Sequence, residues 1–324
     1  MVVQFDAPLD ELRSYHPALA EPTDFDDFWR KTLDDSRRDD LAATFTLVDA
    51  GLPLLNVYDV SFGGWNGDRV AAWLYLPRGT IDPLPTVIEY MGYTSGRGLV
   101  HEHLLWATAG YAHLVVDTRG QGSSAFGGVG ATHDNPGLVG PHVPGFVTMG
   151  IEAPERYYYR RVFVDAVRAI EVTHAHPMLD SQRVIVTGTS QGGGISIAVA
   201  GLVSGLLGVM PDVPFLSHIR HATEITDSHP YREIAQYCSA HRDSIDNAFQ
   251  TLSYFDGVHF SARATAPTLF SVALMDTVCP PSTVFAAYNN WGHPTKQMSV
   301  YPYNGHEGGG AFQRLDQLRF VAEL

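Results

Sequence analysis

Apolar and polar residues follow two different periods along this chain, and the changes of period mark its elements. Residues 55–61 alternate with a period of two, and residues 70–76 follow as an apolar run after a Gly-rich turn, which together predict a β-hairpin. Further short apolar runs predict buried strands. These runs are residues 86–90, 111–116, 183–187, 268–274 and 298–301. Between them, residues 157–174 carry apolar side chains at helical spacing.

Short apolar strands that alternate with helices predict an α/β fold, with a mainly parallel twisted sheet flanked by helices on both faces. The hairpin predicts antiparallel strands at one edge of that sheet. The apolar stretch of residues 195–210 predicts a buried helix, because it is too short and too rich in glycine to span a bilayer.

Three segments lie outside this alternation. Residues 1–45 predict an N-terminal helical extension whose aromatic residues pack on the main domain. Residues 228–262 predict a small helical insertion before the next strand. Residues 120–156 are rich in Gly, Pro and His and predict a long irregular segment, and loops of that length are usually functional. With no internal repeat, residues 1–324 are expected to form a single domain with these additions.

Composition narrows the function classes. The formal net charge is −14, from 21 basic and 35 acidic residues. Because phosphate and anionic lipid surfaces require clustered Lys and Arg, we expect no nucleic-acid partner and no membrane partner. The segment Met1 to Arg13 is acidic and has no apolar run, so we expect no signal peptide and a cytoplasmic location. The two cysteines, Cys238 and Cys279, predict neither a disulfide framework nor a metal site built on cysteines.

The strongest chemical signal is the sequence Gly188-Thr-Ser-Gln-Gly192, which fits the pattern G-x-S-x-G. The motif follows a predicted strand and precedes an apolar helical run, which is the strand–turn–helix setting that a nucleophile elbow needs. Its glycines relieve crowding around a strained serine backbone, and the helix N-terminus favours a developing anion. We therefore predict that Ser190 is the nucleophile of an α/β-hydrolase fold.

In that fold, the acid and the histidine follow the serine in chain order. Asp276 comes just after a predicted strand, and His306 lies in a Gly-flanked loop after the next strand, so both can converge with Ser190. A serine hydroxyl is a poor nucleophile at neutral pH. His306 is therefore predicted to take its proton, and Asp276 to fix the imidazole tautomer. Asp256 and Asp117 are the weaker candidates for the acid.

An oxyanion hole requires the amide after the nucleophile and a second amide from the loop after the first core strand. These are predicted to be the backbone amides of Gln191 and Tyr93. Phe215, Pro230 and Val278 are predicted to line a small acyl pocket that excludes long chains. No cofactor and no metal ion are expected.

Three other motifs could indicate different chemistry. Gly120-Gln-Gly-Ser-Ser-Ala125 is similar to a dinucleotide fingerprint, but a Gly- and Pro-rich segment follows it instead of a helix. His101-Glu-His103 offers metal-ligand side chains, but a helix surface ahead of Leu104-Leu-Trp106 is the favoured interpretation. Tyr157-Tyr-Tyr159 could stack on sugars, but packing is the favoured role.

Four blocks of sequence carry a family resemblance. They are residues 117–122 (Asp-Thr-Arg-Gly-Gln-Gly), 156–168, 188–194 (Gly-Thr-Ser-Gln-Gly-Gly-Gly), and 276–289 together with Asn304-Gly-His-Glu307. These blocks, and an opening helix at residues 22–29, resemble the acetyl xylan esterase and cephalosporin-C deacetylase group, carbohydrate esterase family 7. The resemblance spans nearly the whole chain.

The resemblance implies a serine-dependent carboxylic ester hydrolase that removes acetyl groups from acetylated xylo-oligosaccharides and from cephalosporin C. It implies Ser190, Asp276 and His306 as the catalytic triad, the same three residues that the motifs indicate, and the amides of Tyr93 and Gln191 as oxyanion donors. It also implies structural roles for Arg119 and Gln121, and a hexamer whose active sites face an inner cavity. One departure concerns the oxyanion loop. The family usually has Phe-His before its Gly-Tyr, whereas this chain has Glu89-Tyr90-Met91, which leaves the leaving-group preference open.

We therefore expect a serine esterase that acts on small acetylated substrates through an acyl-enzyme. The resemblance also implies that peroxide in place of water could yield peracetic acid. A general short-chain carboxylesterase or a peptidase of the same fold is an alternative, although no paired carboxylates are placed to bind a free amine. A non-catalytic binding protein is a further alternative, and it would be expected to have lost part of the triad.

Overall fold

The computed structural model describes residues 4–123, 128–137 and 139–324. The strands in these residues are β1 (Thr44–Val48), β2 (Leu55–Gly63), β3 (Arg69–Pro77), β4 (Leu84–Tyr90), β5 (Ala112–Val116), β6 (Leu179–Thr189), β7 (Gly208–Asp212), β8 (Thr268–Ala273) and β9 (Lys296–Tyr301). Over the described part of the chain they form one nine-stranded sheet, in the order β1-β2-β3-β5-β4-β6-β7-β8-β9.

Helices flank this sheet. They are α1 (Leu9–Leu12), α2 (Phe25–Ser36), α3 (Leu105–Thr108), α4 (Tyr158–Glu171), α5 (Gln191–Leu202), α6 (Ile219–Ile225), α7 (Tyr231–Ala240), α8 (Ile245–Ser253), α9 (Gly257–Arg263), α10 (Pro281–Asn289) and α11 (Gly310–Glu323). None of the helices in the described residues is long and apolar enough to cross a membrane.

The sheet is antiparallel at one edge and parallel through its centre. The predicted hairpin is confirmed, because β2 pairs with β3 in an antiparallel register from Leu55 opposite Pro77 to Gly63 opposite Arg69. From β5 and β4 through to β9, neighbouring strands run parallel. Every residue of β5, β7 and β8 is buried, as expected where helices cover both faces of a parallel sheet.

Two details differ from the sequence prediction. The single helix predicted for residues 195–210 is wrong, because α5 ends at Leu202 and the chain re-enters the sheet as β7 at Gly208. A turn containing Gly205, with φ 82°, separates the two elements. Both elements are apolar at nearly every position, so periodicity cannot distinguish a short buried strand from the end of a buried helix. The sequence pattern also does not predict strand β1, whose residues are mostly exposed.

The N-terminal helix packs on the helical insertion. Phe25, Trp29 and Leu33 of α2 are buried, and the Trp29 indole Nε1 donates a hydrogen bond of 2.9 Å to the carbonyl oxygen of Tyr254. The insertion itself is helical as predicted, since α7, α8 and α9 occupy most of residues 228–262. The extension is therefore helical over α2, with Phe25 and Trp29 buried.

The topology directs the candidate residues to one edge of the sheet. Parallel strands β4, β6, β8 and β9 all end at the same side, and the loops that follow them carry Tyr93, Ser190, Asp276 and His306. Ligands of open α/β sheets bind outside the carboxyl ends of the strands, so this edge is where a site is expected.

Candidate active site

Ser190 lies on a sharp turn between β6 and α5. Its backbone has φ 58° and ψ −116°, a strained conformation that costs an L-residue about 1–3 kcal/mol. Two backbone hydrogen bonds hold the turn. The Ser190 amide donates to the carbonyl oxygen of Asp212 at 2.8 Å, and the Ser190 carbonyl accepts from the Phe215 amide at 2.9 Å. This is the geometry of the predicted nucleophile elbow.

Close packing requires the two glycines that flank Ser190. A Cβ atom on Gly188 would meet the backbone of Gly192, and a Cβ atom on Gly192 would meet the carbonyl oxygen of Tyr90. The turn therefore packs directly against the end of β4, and only glycine permits that approach.

Asp276 and His306 form a hydrogen-bonded pair beside this turn. The His306 Nδ1 and the Asp276 Oδ2 are 2.8 Å apart. The other carboxylate oxygen, Oδ1, accepts from the amides of Val278 at 2.8 Å and Cys279 at 3.0 Å. Asp276 is fully buried, while the His306 side chain keeps 31% of its exposure. The carboxylate is thus fixed in place, and the imidazole can still face solvent or substrate.

The loop that carries His306 is tied to the acid. The Met275 amide donates to the Asn304 carbonyl at 3.1 Å, which joins the ends of the two loops. Glu307 accepts from the Asn304 side chain at 2.8 Å and from the Gly305 amide at 3.0 Å. The hydrogen bond from Asn304, followed by those from backbone amides, lowers the pKa of Glu307. The charged carboxylate therefore shapes the turn just before and after His306.

The two weaker candidates for the acid have structural roles. Asp256 is the N-cap of α9 and accepts from the amides of Val258, His218 and Ile219 at 2.8–3.0 Å. Asp117 accepts from backbone amides of the loops around it, including that of Thr132 at 2.8 Å. Neither position competes with Asp276 for His306.

Cys279 lies in contact with both halves of the site. Its thiol is fully buried, and ligand atoms of Asp276, Cys279 and His306 all lie within 4.8 Å of one another. Burial raises the pKa of the Cys279 thiol well above its ordinary value, the charge of Asp276 raises it further, and the Ser190 side chain offsets part of the shift. The protonated thiol is a poor nucleophile beside the serine.

The oxyanion loop places Tyr93 in a tethered position. Its hydroxyl donates to the carboxylate of Glu233, at 2.8 Å from Oε1 and 3.0 Å from Oε2, and accepts from the Phe146 amide at 2.6 Å. The ring packs edge-on against Phe146, with centroids 5.8 Å apart. The next residue, Thr94, has φ 65° and donates from its amide to Gln121 at 2.6 Å. The backbone on both sides of Tyr93 is therefore held.

Glu233 is a site residue that the sequence did not indicate. It lies on α7, is only 3% exposed, and also accepts from the Val147 amide at 3.2 Å. Burial raises the pKa of the Glu233 carboxyl, and the hydrogen bonds from Tyr93 and Val147 oppose that rise. A single carboxylate thus connects the insertion, the irregular segment and the oxyanion loop. No motif surrounds it, and 140 residues separate it from Tyr93.

Gln191 opens α5, where the first backbone amides have no acceptor within the helix. Its side chain is fully buried and fixed by three neighbours. The Oε1 accepts from the Gln121 amide group and from the Tyr159 hydroxyl, both at 2.9 Å, and the Nε2 donates to the Met91 carbonyl at 3.1 Å. Gln121 therefore joins the Gln191 side chain to the amide of Thr94, the residue after Tyr93, in agreement with a structural role.

Arg119 also has a structural role. Its guanidinium is fully buried and donates to Asp165 at 2.6 and 2.9 Å, to Asp68 at 3.1 Å and to Asp134 at 3.2 Å. A charge buried without such partners would cost several kcal/mol, whereas here planar, bidentate pairing compensates for the burial. The arginine fastens the start of the irregular segment to α4.

The three residues predicted to line the acyl pocket lie near the site with different exposures. Phe215 is fully buried, with its ring 6.5 Å from Tyr93 and 4.4 Å from Tyr231 between centroids. Pro230 is buried and follows a cis peptide bond. Val278 is half-buried, and it lies two residues after Asp276 in the loop that follows β8.

The tyrosine, histidine and glycine motifs occupy three different settings in the fold. Tyr157, Tyr158 and Tyr159 are all fully buried, so they pack and cannot serve as an exposed platform for sugars. The helix surface predicted for residues 101–103 is wrong. Glu102 accepts from the Leu99 amide at 2.7 Å within a turn, which delays the start of α3 to Leu105. Residues 120–123 enter an irregular segment, and residues 124 and 125 of the Gly-rich motif lie outside the described residues.

The unusual segment before the oxyanion loop contains a buried ion cluster. Glu89 lies 3.1 Å from His113, 3.5 Å from His103 and 3.5 Å from Arg314. Burial alone would raise the pKa of Glu89, but hydrogen bonds from the two histidines and the charge of Arg314 lower it well below its ordinary value. Tyr90 donates to the Ala166 carbonyl at 2.9 Å. These side chains fasten β4 from behind the site.

The sheet order and the elbow between β6 and α5 define an α/β-hydrolase fold. An acetyl xylan esterase from Paenibacillus sp. R4 is 38% identical and matches 98% of this chain and 99% of its own, with a TM-score of 0.92. Acetyl xylan esterase 1 from Thermoanaerobacterium sp. JW/SL YS485 is 33% identical over 98% of this chain and 99% of its own, with a TM-score of 0.90. An acylaminoacyl peptidase from Pyrococcus horikoshii, 16% identical over 84% of this chain and 42% of its own, shares the fold alone, with a TM-score of 0.59.

The model of the acetyl xylan esterase (AXE1) family matches residues 2–324. The chain belongs to the acetyl xylan esterase family, a family of carboxylic ester hydrolases, which confirms the resemblance carried by the four sequence blocks. The acetyl esterase Axe7A of Xylanibacter ruminicola is 26% identical over 305 residues, which cover 90% of this chain. The match spans 64% of the length of that relative.

Proposed function

We propose that this protein is a serine esterase that removes acetyl groups from small acetylated substrates through an acyl-enzyme on Ser190. The observation that carries the proposal is the 2.8 Å contact between Asp276 and His306, on loops at the same edge of the sheet as the elbow that carries Ser190. Membership of the acetyl xylan esterase family supports acetyl esters as the substrate class. A non-catalytic binding protein would be expected to have an incomplete set of these groups.

The proposed mechanism begins with proton transfer. Because His306 donates from Nδ1 to Asp276, its Nε2 keeps a free lone pair that can accept the Ser190 proton. The serine oxygen then attacks the acetyl carbonyl. The developing oxyanion is held by the backbone amides of Gln191 and Tyr93, and each donor in such a site lowers the barrier by about 2.7–4 kcal/mol.

The tetrahedral intermediate then collapses. His306 gives its proton to the oxygen of the leaving sugar or alcohol, and the acetyl group remains on Ser190. Water, deprotonated by the same imidazole, attacks the acyl-enzyme and releases acetate. Asp276 stabilises the imidazolium in both halves of the reaction without taking up the proton.

A small acyl pocket would restrict the reaction to short acyl chains. Phe215 and Pro230 are buried and Val278 is half-buried, and these three apolar side chains are the proposed lining of that pocket. A series of p-nitrophenyl esters from acetate to octanoate tests the proposal. We expect kcat/KM to be highest for acetate and to fall with chain length, and octanoate turning over faster than acetate would contradict the acyl preference.

Three finer features are proposed together with this activity. They are deacetylation of cephalosporin C as well as acetylated xylo-oligosaccharides, a homo-oligomer that is hexameric, and a cytoplasmic location. Exposed aromatic side chains support the assembly, since Tyr303 is 86% and Phe312 is 77% exposed in the single chain. Light scattering on the purified protein tests the assembly, because a stable monomer would contradict it.

A further inference from the structure

A cluster of three different metal-ligand groups lies behind the proposed nucleophile. The Asp276 carboxylate, the Cys279 thiol and the His306 imidazole each offer a ligand atom, and these atoms lie within 4.8 Å of one another. Asp276 and Cys279 are fully buried, and the His306 side chain is 31% exposed. The proposed reaction uses the carboxylate and the imidazole but assigns no task to the thiol.

The local backbone fixes this arrangement. Asp276 accepts from the amide of Cys279 itself, at 3.0 Å, so the acid and the thiol are parts of one tight turn. The His306 loop is joined to that turn through the Met275–Asn304 hydrogen bond of 3.1 Å. The three ligand groups are therefore held in place by the fold, with no loop closure required to assemble them.

The geometry is close to that of a tetrahedral metal site. Zinc bonds of about 2.0–2.3 Å place neighbouring ligand atoms roughly 3.3–3.7 Å apart. The Asp276–His306 pair, now at 2.8 Å, would open by about 0.5 Å. The thiol would move inward by no more than about 1.3 Å, given the 4.8 Å limit on the present separations. Side-chain rotations of this size need no change of fold.

We propose that Asp276, Cys279 and His306 form an inhibitory site for a thiophilic divalent cation such as Zn²⁺ or Cd²⁺. A thiolate, an imidazole and a carboxylate together select this class of cation, whereas Mg²⁺ and Ca²⁺ prefer sites made of oxygen ligands only. On binding, the Cys279 thiol loses its proton to solvent and its sulfur bonds to the cation. Asp276 changes from hydrogen-bond acceptor to ligand.

Binding would switch the esterase off through the histidine. The His306 Nδ1 must give its lone pair to the cation, so the ring proton moves from Nδ1 to Nε2. An Nε2 that carries a proton cannot take the proton of Ser190, and general-base catalysis stops. Because the cation sits on the Nδ1 side of the ring, the expected effect is a loss of kcat with little change in KM.

The two cysteines provide a matched pair of variants. Inhibition of p-nitrophenyl acetate hydrolysis by Cd²⁺ is measured for wild type, Cys279→Ser and Cys238→Ser, each relative to its own cadmium-free rate. Cys238 is half-buried on α7 and has no place in the cluster, so Cys238→Ser should be inhibited like wild type. In Cys279→Ser, the Cd²⁺ concentration for half-inhibition should rise about tenfold or more. Chelation with EDTA should restore wild-type activity.

A second readout does not depend on turnover. The inhibition assay rests on the proposed esterase function, but binding of the cation does not. Ser190→Ala protein is therefore titrated with Cd²⁺, and the ultraviolet absorption of the cadmium–thiolate bond is recorded. The absorption should persist in Ser190→Ala protein that also carries Cys238→Ser. It should disappear in Ser190→Ala protein that also carries Cys279→Ser or Cys279→Ala.

The site would be refuted by absence of inhibition in a wild type that hydrolyses the ester, or by equal inhibition of wild type and Cys279→Ser. It would also be refuted by an absorption signal that follows Cys238, or by inhibition with Mg²⁺ as strong as that with Cd²⁺. An inactive wild type that still gives the Cys279-dependent absorption would overturn the proposed esterase function and leave the cation site intact.

Discussion

The tether between Tyr93 and Glu233 should control catalysis without touching the substrate. Tyr93 is proposed to contribute only its backbone amide, while its hydroxyl is bound to Glu233 at 2.8 and 3.0 Å. Tyr93→Phe therefore keeps the amide and removes the tether. Glu233→Leu removes the tether from the other end, and Glu233→Gln keeps a hydrogen-bond acceptor in the same position.

The expected fall in kcat follows from the strength of the hydrogen bond between Tyr93 and Glu233. A hydrogen bond to a charged group contributes about 1.5–3 kcal/mol, and complete loss of one oxyanion donor costs about 10²–10³ in kcat. A loosened donor should cost less than a missing one, so we expect kcat to fall by about tenfold in Tyr93→Phe, equivalent to about 1.4 kcal/mol. KM should change little, because the oxyanion develops only in the transition state.

The assay is a double-mutant cycle in kcat on p-nitrophenyl acetate. If Tyr93 and Glu233 act as one unit, Tyr93→Phe, Glu233→Leu and the double variant should lose similar activity, and Glu233→Gln should recover most of it. Tyr90→Phe is the matched control, since it deletes another buried tyrosine hydrogen bond, of 2.9 Å to the Ala166 carbonyl. Losses that add in the double variant, or a Tyr93→Phe rate equal to that of Tyr90→Phe, would refute the positioning role.

Three further predictions concern the acid, the elbow and a buried carboxyl. Asp276→Asn should lower kcat by on the order of 10⁴-fold while circular dichroism stays native, and a loss under tenfold would exclude Asp276 as the group that orients His306. Gly192→Ala should lower stability by about 1–3 kcal/mol in urea unfolding, because its Cβ meets the Tyr90 carbonyl; Gly92→Ala, whose nearest atom is 3.7 Å away, should not. Burial raises the pKa of Asp212 to about 6, so the native state binds the proton more tightly than the unfolded state. The free energy of unfolding of wild type relative to Asp212→Asn should therefore fall by about 3 kcal/mol as the pH rises from about 4 to about 6. A difference that stays constant over that range would contradict the raised pKa of Asp212.

Much of the fold can be predicted from the sequence because its central strands are short, apolar and bounded by turn residues. The hairpin and the strands β4, β5, β6, β8 and β9 lie near the positions that the apolar runs predict. Strand β7 cannot be separated from α5 by pattern, because both are apolar at nearly every position. Strand β1 has mostly exposed residues, so it carries no burial pattern that would predict it.

The candidate site divides in the same way. The elbow, the acid and the histidine can be predicted because the fold imposes their chain order and their glycine neighbours. Glu233 cannot be, since its role depends on a helix that brings it to Tyr93 across 140 residues. The proximity of Cys279 to Asp276 and His306 also depends on how a turn folds back on Asp276, which spacing alone does not reveal.

The proposed role of Ser190 as the carrier of the acetyl group is the centre of this mechanism. The most direct measurement is acetate release from acetylated xylo-oligosaccharide and from cephalosporin C, by wild type and by Ser190→Ala. We predict that wild type releases acetate and that Ser190→Ala, folded by circular dichroism, releases none above background. No release by wild type from either substrate would contradict the proposed substrate class, and equal acetate release by the two proteins would contradict the role of Ser190 itself.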